Sequence, residues 1–246
     1  MKQDWISPDW DAPACVRALV TTRVGGVSAP PYDGFNLASH VGDDPLRVAE
    51  NRLSLRQQSR LLLPSEPLWL NQLHGTQVLS AENPMRLEAD ACVAKSAGQV
   101  CAVLSADCLP VLFCDAAGTV VAAAHAGWRG LAAGVLEKTV AAMDVSSERL
   151  MAWLGPAISQ PAFEVGSEVR EVFCAHDPRA AAAFVAHGDG KWLCDLYALA
   201  RLRLMDAGVT RVSGGDLCTF ADAKRFYSYR RDGTTGRMAA LIWLEA

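Results

Sequence analysis

Three potential metal ligands stand at the ends of apolar, strand-like runs. His74 lies in NQLHGTQV, Cys108 ends VLSADC just before a proline, and His125 ends VVAAAHAG. Only five histidines occur in the 246 residues, so the position of two of them at strand ends is informative. Two imidazole nitrogens and one thiolate make a three-ligand set for zinc that leaves a fourth position for water or substrate. The sequence therefore predicts a zinc site of the catalytic type.

The same cysteine and histidine allow a second interpretation. Cys108 could act as a nucleophile with His125 as its base, because a nearby imidazolium or a helix N-terminus favours the thiolate. Zinc and this dyad compete for one thiolate. A structural role is the third option, since a cysteine flanked by apolar strands is commonly a buried and inert thiol.

Two segments carry positive charge near these residues. GWRG follows His125, and there Arg129 and the free N–H groups of a helix N-terminus suit an anion such as phosphate, unless Arg129 pairs with a carboxylate. The segment RFYSYRRDGTTGR suits an aromatic base or a phosphate, or else forms a solvated loop. It contains Arg225, Arg230, Arg231 and Arg237 among three aromatic residues.

The elements that must position these residues alternate irregularly along the chain. Apolar or β-rich runs predict strands at 15–23, 67–72, 89–94, 99–106, 110–116, 119–126, 150–155 and 238–245. The runs between 100 and 125 are too closely spaced for helical crossovers, so we expect them to be antiparallel neighbours. Helical spacing of apolar residues predicts helices at 43–63, 128–143, 166–178 and 195–208.

Local signals support the ends of these helices. Asp44 is placed to cap the first helix with Pro45 at its first position, and Asp195 is placed to cap the last. In the third helix Val169, Val172 and Phe173 are expected on one apolar face. No fixed-period repeat is visible, and we expect residues 1–246 to form a single domain.

Composition and motifs exclude several classes of protein. About half of the residues are hydrophobic and the formal net charge is −4, which argues against a broad nucleic-acid surface. The polar N-terminus and the lack of a membrane-length apolar run predict a cytoplasmic protein without a membrane partner, with its eight cysteines reduced. Nucleotide-binding glycine loops and the cytidine-deaminase signature are missing. Five isolated histidines do not supply a multicopper oxidase.

Six segments together resemble a known family. They span 21–52, 70–78, 90–115, 121–140, 153–169 and 218–244, and they include QLHG, SADCLP and HAGWRG. In this order they resemble the laccase-domain or polyphenol-oxidase family, whose members are described as purine nucleoside phosphorylases and include the mammalian FAMIN-type enzymes. The resemblance covers nearly the whole chain.

The resemblance implies a fold, a cofactor and an activity. The fold is an α/β sandwich of the α+β type, with two packed mixed β-sheets flanked by helices, similar to the catalytic domain of bacterial cytotoxic necrotizing factors. The cofactor is zinc bound by His74, Cys108 and His125, with copper also possible. The activity is phosphorolysis of adenosine, inosine and methylthioadenosine together with deamination of adenosine, so the partners are a purine nucleoside and phosphate. The oligomeric state is left open.

Further site residues follow from the same resemblance. Phosphate would be held by Arg129 and a helix N-terminus, with Arg230 as a second binding residue. His40, Asn36 and Asp43 would line the pocket, with His40 assisting proton transfer, although turn formation and capping explain this segment equally well. Glu164 is a candidate proton donor to the leaving purine.

Three alternative functions remain open on the sequence. The first is an amidase that edits a peptidoglycan precursor, a UDP-N-acetylmuramoyl amino acid. The second is a copper-dependent polyphenol oxidase. The third is a non-catalytic metal-binding or nucleotide-binding module, which would need Asp107 or Cys218 to close the fourth metal position.

Overall fold

Two facing sheets form the body of the fold, and their central strands are buried along their whole length. The computed structural model describes residues 4–58 and 63–245. A four-stranded sheet has the order β1-β13-β5-β2 and contains β1 (Val16–Val20), β2 (Leu68–Trp69), β5 (Val100–Ser105) and β13 (Met238–Leu244). A six-stranded sheet has the order β12-β8-β6-β7-β4-β3 and contains β3 (Val78–Ser80), β4 (Ala91–Ala94), β6 (Leu109–Asp115), β7 (Val121–Ala126), β8 (Leu150–Leu154) and β12 (Arg211–Gly214).

Both sheets are mixed, as expected. The four-stranded sheet has antiparallel pairs except for the parallel pair β2/β5. The six-stranded sheet has antiparallel pairs in its centre and a parallel pair at each edge, β3/β4 and β12/β8. The prediction of packed mixed sheets flanked by helices is therefore confirmed. A small antiparallel sheet that the sequence did not predict comprises β9 (Glu164–Gly166), β10 (Phe184–Ala186) and β11 (Lys191–Cys194).

The side-chain alternation of β6 shows how the layers are built. Leu112 and Cys114 belong to the core between the two sheets, whereas Val111 and Phe113 belong to the core beneath the helices. Because successive side chains of a strand point to opposite faces, a strand covered on both faces is apolar throughout. The outer face of the four-stranded sheet has its own core, which includes Leu55 of the first helix.

Six α-helices flank the sheets in the described ranges. They are α1 (Pro45–Gln58), α2 (Trp128–Ala133), α3 (Val135–Met143), α4 (Ser167–His176), α5 (Leu196–Asp206) and α6 (Tyr229–Asp232). Both predicted caps are present, since Asp44 accepts the Leu46 N–H at 2.9 Å and Asp195 accepts the Ala198 N–H at 3.0 Å. The first helix was predicted to end at 63; residues 59–62 lie outside the described residues, and residue 63 is not helical. None of these helices has the length and apolar character needed to cross a bilayer.

Three sequence predictions about elements were wrong in detail. The helix expected at 128–143 is broken, because Gly134 adopts a left-handed φ of 94° between α2 and α3. Val172 is exposed, while Val169 and Phe173 of the same helix are buried. β5 and β6 are not neighbours in one sheet, because the chain crosses from the four-stranded to the six-stranded sheet between them. The expected antiparallel pair β6/β7 is present.

Candidate metal centre

The crossover between the two sheets positions Cys108. The chain leaves β5 at Ser105 and enters β6 at Leu109, with Asp107 at a positive φ of 89°. The Asp107 carboxylate accepts hydrogen bonds from the Thr219 hydroxyl at 2.6 Å and from the Arg230 backbone N–H at 2.7 Å. These bonds tie the crossover to the segment before β13, so the thiol of Cys108 stands at a fixed edge of the sandwich.

His125 is the penultimate residue of the neighbouring strand β7, directly across from Pro110 of β6. It is only 3% exposed. Its Nδ1 lies 2.9 Å from Oδ1 of Asp90, and its backbone N–H donates to the Asp90 carbonyl at 2.7 Å. Because Nδ1 is used by Asp90, Nε2 is the nitrogen left for a metal ion or for the thiol.

The same carboxylate holds the turn that carries His74. Asp90 accepts the backbone N–H groups of Leu73, His74 and Gly75 at 3.1, 2.9 and 2.6 Å. His74 has a positive φ of 59°, which these three bonds stabilise. Asp90 is 1% exposed; burial raises the pKa of its carboxyl, but the hydrogen bonds from His125 and from these backbone groups outweigh burial and lower it. One carboxylate therefore orients both histidines.

The ligand atoms of His74, Cys108 and His125 all lie within 4.8 Å of one another. The Cys108 Sγ is 3.8 Å from Nε2 of His74, and the two imidazole rings are nearly perpendicular with centroids 4.8 Å apart. A Cβ at Gly127 would lie 2.9 Å from Cys108 Sγ and 2.9 Å from Cδ2 of His74. Only glycine at this position leaves room for the three side chains to converge.

The electrostatics of the site favour a thiolate. Burial raises the pKa of Cys108, but the charge of His125 and hydrogen bonds from His125 and His74 outweigh it and lower the pKa to about 6. Burial lowers the pKa of His125, but the charge of Cys108 and the hydrogen bond to Asp90 raise it to about 9. A thiolate is both the form that binds metals and the form that attacks carbonyl carbon. The geometry thus fits both interpretations of the pair Cys108 and His125.

The donor set fits one metal ion with an open fourth position. Within the described ranges, His74, Cys108 and His125 are the only such group of three. The Asp107 carboxylate is occupied by its hydrogen bonds, and the Cys218 thiol accepts a hydrogen bond from the Ser159 hydroxyl at 2.8 Å. Neither belongs to the cluster of ligands. Two nitrogens and one sulfur suit zinc and also suit copper.

The segment containing Asn36 and Asp43 forms a buried hydrogen-bonded network. Asp43 accepts from the Ser28 hydroxyl at 2.6 Å and from the Asn36 amide at 2.9 Å. Asn36 Oδ1 accepts the backbone N–H groups of Ala38 and Arg237 at 3.0 and 2.9 Å. The polar groups of Asn36 and Asp43 are therefore used within the protein and support neighbouring backbone.

His40 lies at the surface near two cations. Its pKa is lowered by burial and then by the charges of Arg237 and Arg52. It lines a cavity of 810 Å³ together with Arg52, Trp69, Asn71 and Leu104. None of the three metal ligands lines that cavity.

The predicted phosphate-binding arginines are both exposed. The Arg129 guanidinium lies 4.7 Å from the centre of the Trp128 ring. Arg230 donates through Nη1 to the Glu164 carbonyl at 2.8 Å, and its guanidinium lies 5.3 Å from the Phe163 ring. The Glu164 carboxylate contacts Nδ1 of His187 at 2.9 Å. The backbone N–H of Arg230 donates to Asp107, so Arg230 lies next to the crossover. The partner of the Glu164 carboxylate is His187, which is not one of the three metal ligands.

Asp90 is the functional residue that the sequence prediction missed. The visible signal is a carboxylate at the start of the buried strand ADACVA, where a charged side chain needs a partner. Arg237 was included only as one member of the C-terminal arginine cluster. The structure places it next to the crossover, because Met238 pairs with Ser105 in the β13/β5 ladder.

Fold and site together define a class of protein: a two-sheet α/β protein in which two histidines and a cysteine that could hold a metal ion meet where the chain crosses between the sheets. The family described as multi-copper polyphenol oxidoreductase laccase matches residues 17–245, and the chain belongs to this family. The donor atoms gathered in the described residues could hold one ion. Two other histidines have different partners: His176 contacts Arg203 at 2.6 Å, and His187 contacts Glu164 at 2.9 Å.

Relatives of known name and structure cover nearly the whole chain. The chain is 56% identical over 241 residues to a protein of Escherichia coli (strain K12) named purine nucleoside phosphorylase YfiH, covering 97% of this chain and 98% of the relative. It is 54% identical to a purine nucleoside phosphorylase of Pseudomonas aeruginosa, covering 98% of each chain. The crystal structure of the Neisseria meningitidis protein NMB0706 superposes with a TM-score of 0.95 at 54% identity, covering 99% of this chain and 100% of that one.

Proposed function

We propose that the protein is a zinc-dependent purine nucleoside phosphorylase of broad specificity that also deaminates adenosine. The observation that carries the proposal is the group of three ligands, oriented by one buried carboxylate and joined by no fourth protein ligand from the part of the chain that the structure describes. An open position is typical of catalytic rather than structural zinc sites. Relatives with the name purine nucleoside phosphorylase support the choice of substrates, which we extend to adenosine, inosine and methylthioadenosine.

Phosphorolysis requires little covalent chemistry from the chain. A phosphate oxygen bonds to C1′ of the ribose while the bond from C1′ to the purine nitrogen breaks, and the purine leaves with the electron pair and takes up a proton. Zinc held by His74, Cys108 and His125 would supply Lewis acidity and activate water for the deamination. The protein contributes mainly by positioning both substrates and by stabilising charge.

Several side chains are available for that positioning. Tyr229 is 61% exposed, with the Arg237 guanidinium 5.8 Å from its ring, and we assign it to stacking against the purine. The lowered pKa of His40 favours its neutral form, which suits accepting a proton from a ribose hydroxyl. Arg129 and Arg230 are retained as cations at the rim that attract phosphate.

A second candidate is amide hydrolysis by the metal-free site. Asp90, His125 and Cys108 form a chain of acid, base and thiol, with 2.9 Å between Asp90 Oδ1 and Nδ1 of His125. This is the arrangement of a cysteine hydrolase, in which the carboxylate fixes the tautomer of the base. A peptidoglycan precursor with an N-acyl amino acid bond is the substrate that the resemblance suggests.

Product analysis separates the two candidates. Zinc-loaded protein is incubated with adenosine or inosine, with and without phosphate, and the products are resolved by chromatography. The proposal expects free purine only with phosphate, and inosine from adenosine without it. Cys108→Ala should form no products. The matched control is Cys15→Ala, which removes a half-buried thiol that donates a hydrogen bond to the Gly118 carbonyl, and this variant should form the same products as wild type. Protein that leaves every nucleoside intact when loaded with zinc, but cleaves the N-acyl amino acid bond of the precursor when metal-free, would favour the hydrolase. A cytoplasmic location stays a prediction.

A further inference from the structure

We propose that inorganic phosphate binds at Arg237, through the edge of the guanidinium formed by Nε–H and Nη2–H. The inference deepens the proposed function by placing the second substrate. It replaces Arg129 as the principal phosphate anchor with the residue that directly precedes β13.

The backbone fixes Arg237 beside the crossover that carries Cys108. Met238 pairs with Ser105, so Arg237 lies opposite the first residue of the crossover. Its N–H donates to Asn36 Oδ1 at 2.9 Å, and the Asn36 amide is in turn held by Asp43 at 2.9 Å. The buried network of Asn36 and Asp43 therefore serves to position this arginine.

One nitrogen of the Arg237 guanidinium is hydrogen-bonded within the protein, and the other two are available to a ligand. Nη1 donates to the carbonyls of Thr235 at 2.8 Å and Gly236 at 2.9 Å. Within the described ranges, Nε and Nη2 have no hydrogen-bond partner and no carboxylate lies within ion-pair distance. The neighbouring arginines differ, because Arg225 pairs with Asp222 at 2.6 Å and Arg231 pairs with Asp232 at 2.7 Å. Two parallel N–H groups on a planar fork match two oxygens of a phosphate.

The surroundings make Arg237 a stronger anion site than Arg129. Arg237 is half-buried and burial lowers its pKa, whereas Arg129 is exposed to solvent. A partly desolvated charge attracts a counter-ion more strongly, because water screens it less. The charges of Cys108 and Asp107 act against burial and raise the pKa of Arg237, in keeping with its place beside the crossover. Arg52 adds a second positive charge near His40.

The test compares variants that keep or remove the fork. Arg237→Gln removes the charge and the fork, and Arg237→Lys keeps the charge alone. Arg225→Gln is the matched control, since Arg225 lies in the same segment but already pairs with Asp222. Phosphate affinity is measured on zinc-loaded protein in two ways: by the rise in melting temperature with added inorganic phosphate, and by the phosphate and nucleoside KM values.

We expect Arg237→Gln to raise the phosphate KM about 30-fold, or about 2 kcal/mol, while changing the nucleoside KM little. The thermal response to phosphate should disappear in Arg237→Gln. The phosphate KM of Arg237→Lys should lie between those of wild type and Arg237→Gln, and Arg129→Gln should raise the phosphate KM less than Arg237→Gln does. Equal losses for both substrates, or a normal phosphate response in Arg237→Gln, would refute the assignment. The thermal measurement does not depend on turnover. If wild type responds to phosphate through Arg237 but forms no free purine, then the proposed function fails and the anion site stands.

Discussion

Replacing Asp90 by Asn tests whether one carboxylate orients both histidines. The substitution keeps the shape but removes the charge, and the amide nitrogen cannot accept hydrogen bonds. The carboxylate now accepts three backbone N–H groups and contacts Nδ1 of His125, so at least one of these four contacts is lost. Partners of metal-binding histidines typically contribute 10–100-fold to metal affinity. We therefore expect zinc affinity to fall about 10–100-fold, which is about 1.4–2.8 kcal/mol.

The assay is competition for zinc between the protein and a chromophoric chelator at constant pH. Asp115→Asn is the matched control. Asp115 is also fully buried and accepts backbone N–H groups of Ala117, Thr119 and Val120 at 3.2, 2.6 and 3.0 Å. It stands at the other end of β6, about 20 Å from Leu109 at about 3.3 Å per residue. Both variants should lose about 1–3 kcal/mol of folding free energy.

Only Asp90→Asn should lose zinc affinity. If its affinity for zinc stays within twofold of wild type while the protein remains folded, the carboxylate does not orient the histidines. If Asp115→Asn loses as much affinity as Asp90→Asn, the effect reflects general destabilisation and the reasoning fails in the same way.

Four further predictions concern pH, packing and substrate contact. Burial raises the pKa of Asp115, but hydrogen bonds from its turn outweigh burial and lower the pKa below 3.8. The stability advantage of wild type over Asp115→Asn should therefore be present above pH 3.8 and disappear as the pH falls through the lowered pKa, as measured by urea unfolding. Gly127→Ala should lower zinc affinity in the chelator assay, because its Cβ would lie 2.9 Å from Cys108 Sγ; unchanged affinity would contradict the packing described. Phe113→Ala should lower the free energy of unfolding by about 3–5 kcal/mol, since the ring is fully buried beneath the helices; a loss below 1 kcal/mol in urea titration would contradict this. Tyr229→Ala should raise the nucleoside KM about tenfold and leave the phosphate thermal shift intact; an unchanged nucleoside KM would exclude stacking on Tyr229.

The metal ligands could be predicted from sequence because each one ends a local pattern. An apolar run that stops at His125 or Cys108 marks a strand end. The two residues meet because Cys108 directly precedes β6, which pairs with β7. The role of Asp90 could not be predicted in this way. Its four contacts join the start of β4 to a turn fifteen residues earlier in the chain and to a histidine on β7, so they depend on how the strands pair.

The assignment of strands to the two sheets could not be predicted from local sequence patterns either. Local pattern predicted β5, β6 and β7 as strands, but the spacing rule assigned β5 and β6 to one sheet, whereas the three-residue crossover carries the chain to the other. The crossover is stabilised by contacts of Asp107 with Thr219 and Ser228, more than a hundred residues away. Gly134 was a visible signal for a helix break. The single-domain organisation and the likeness to necrotizing-factor domains stay predictions.

Titration of metal-free protein with zinc, while phosphate-dependent release of hypoxanthine from inosine is followed, shows whether purine release takes place at the three ligands. We expect activity to rise in proportion to added zinc and to saturate at one ion per chain, since three ligands converge on one position. Cys108→Ala should stay inactive at every zinc concentration. Full activity before zinc is added, or activity of Cys108→Ala equal to wild type, would show that purine release does not take place at this site.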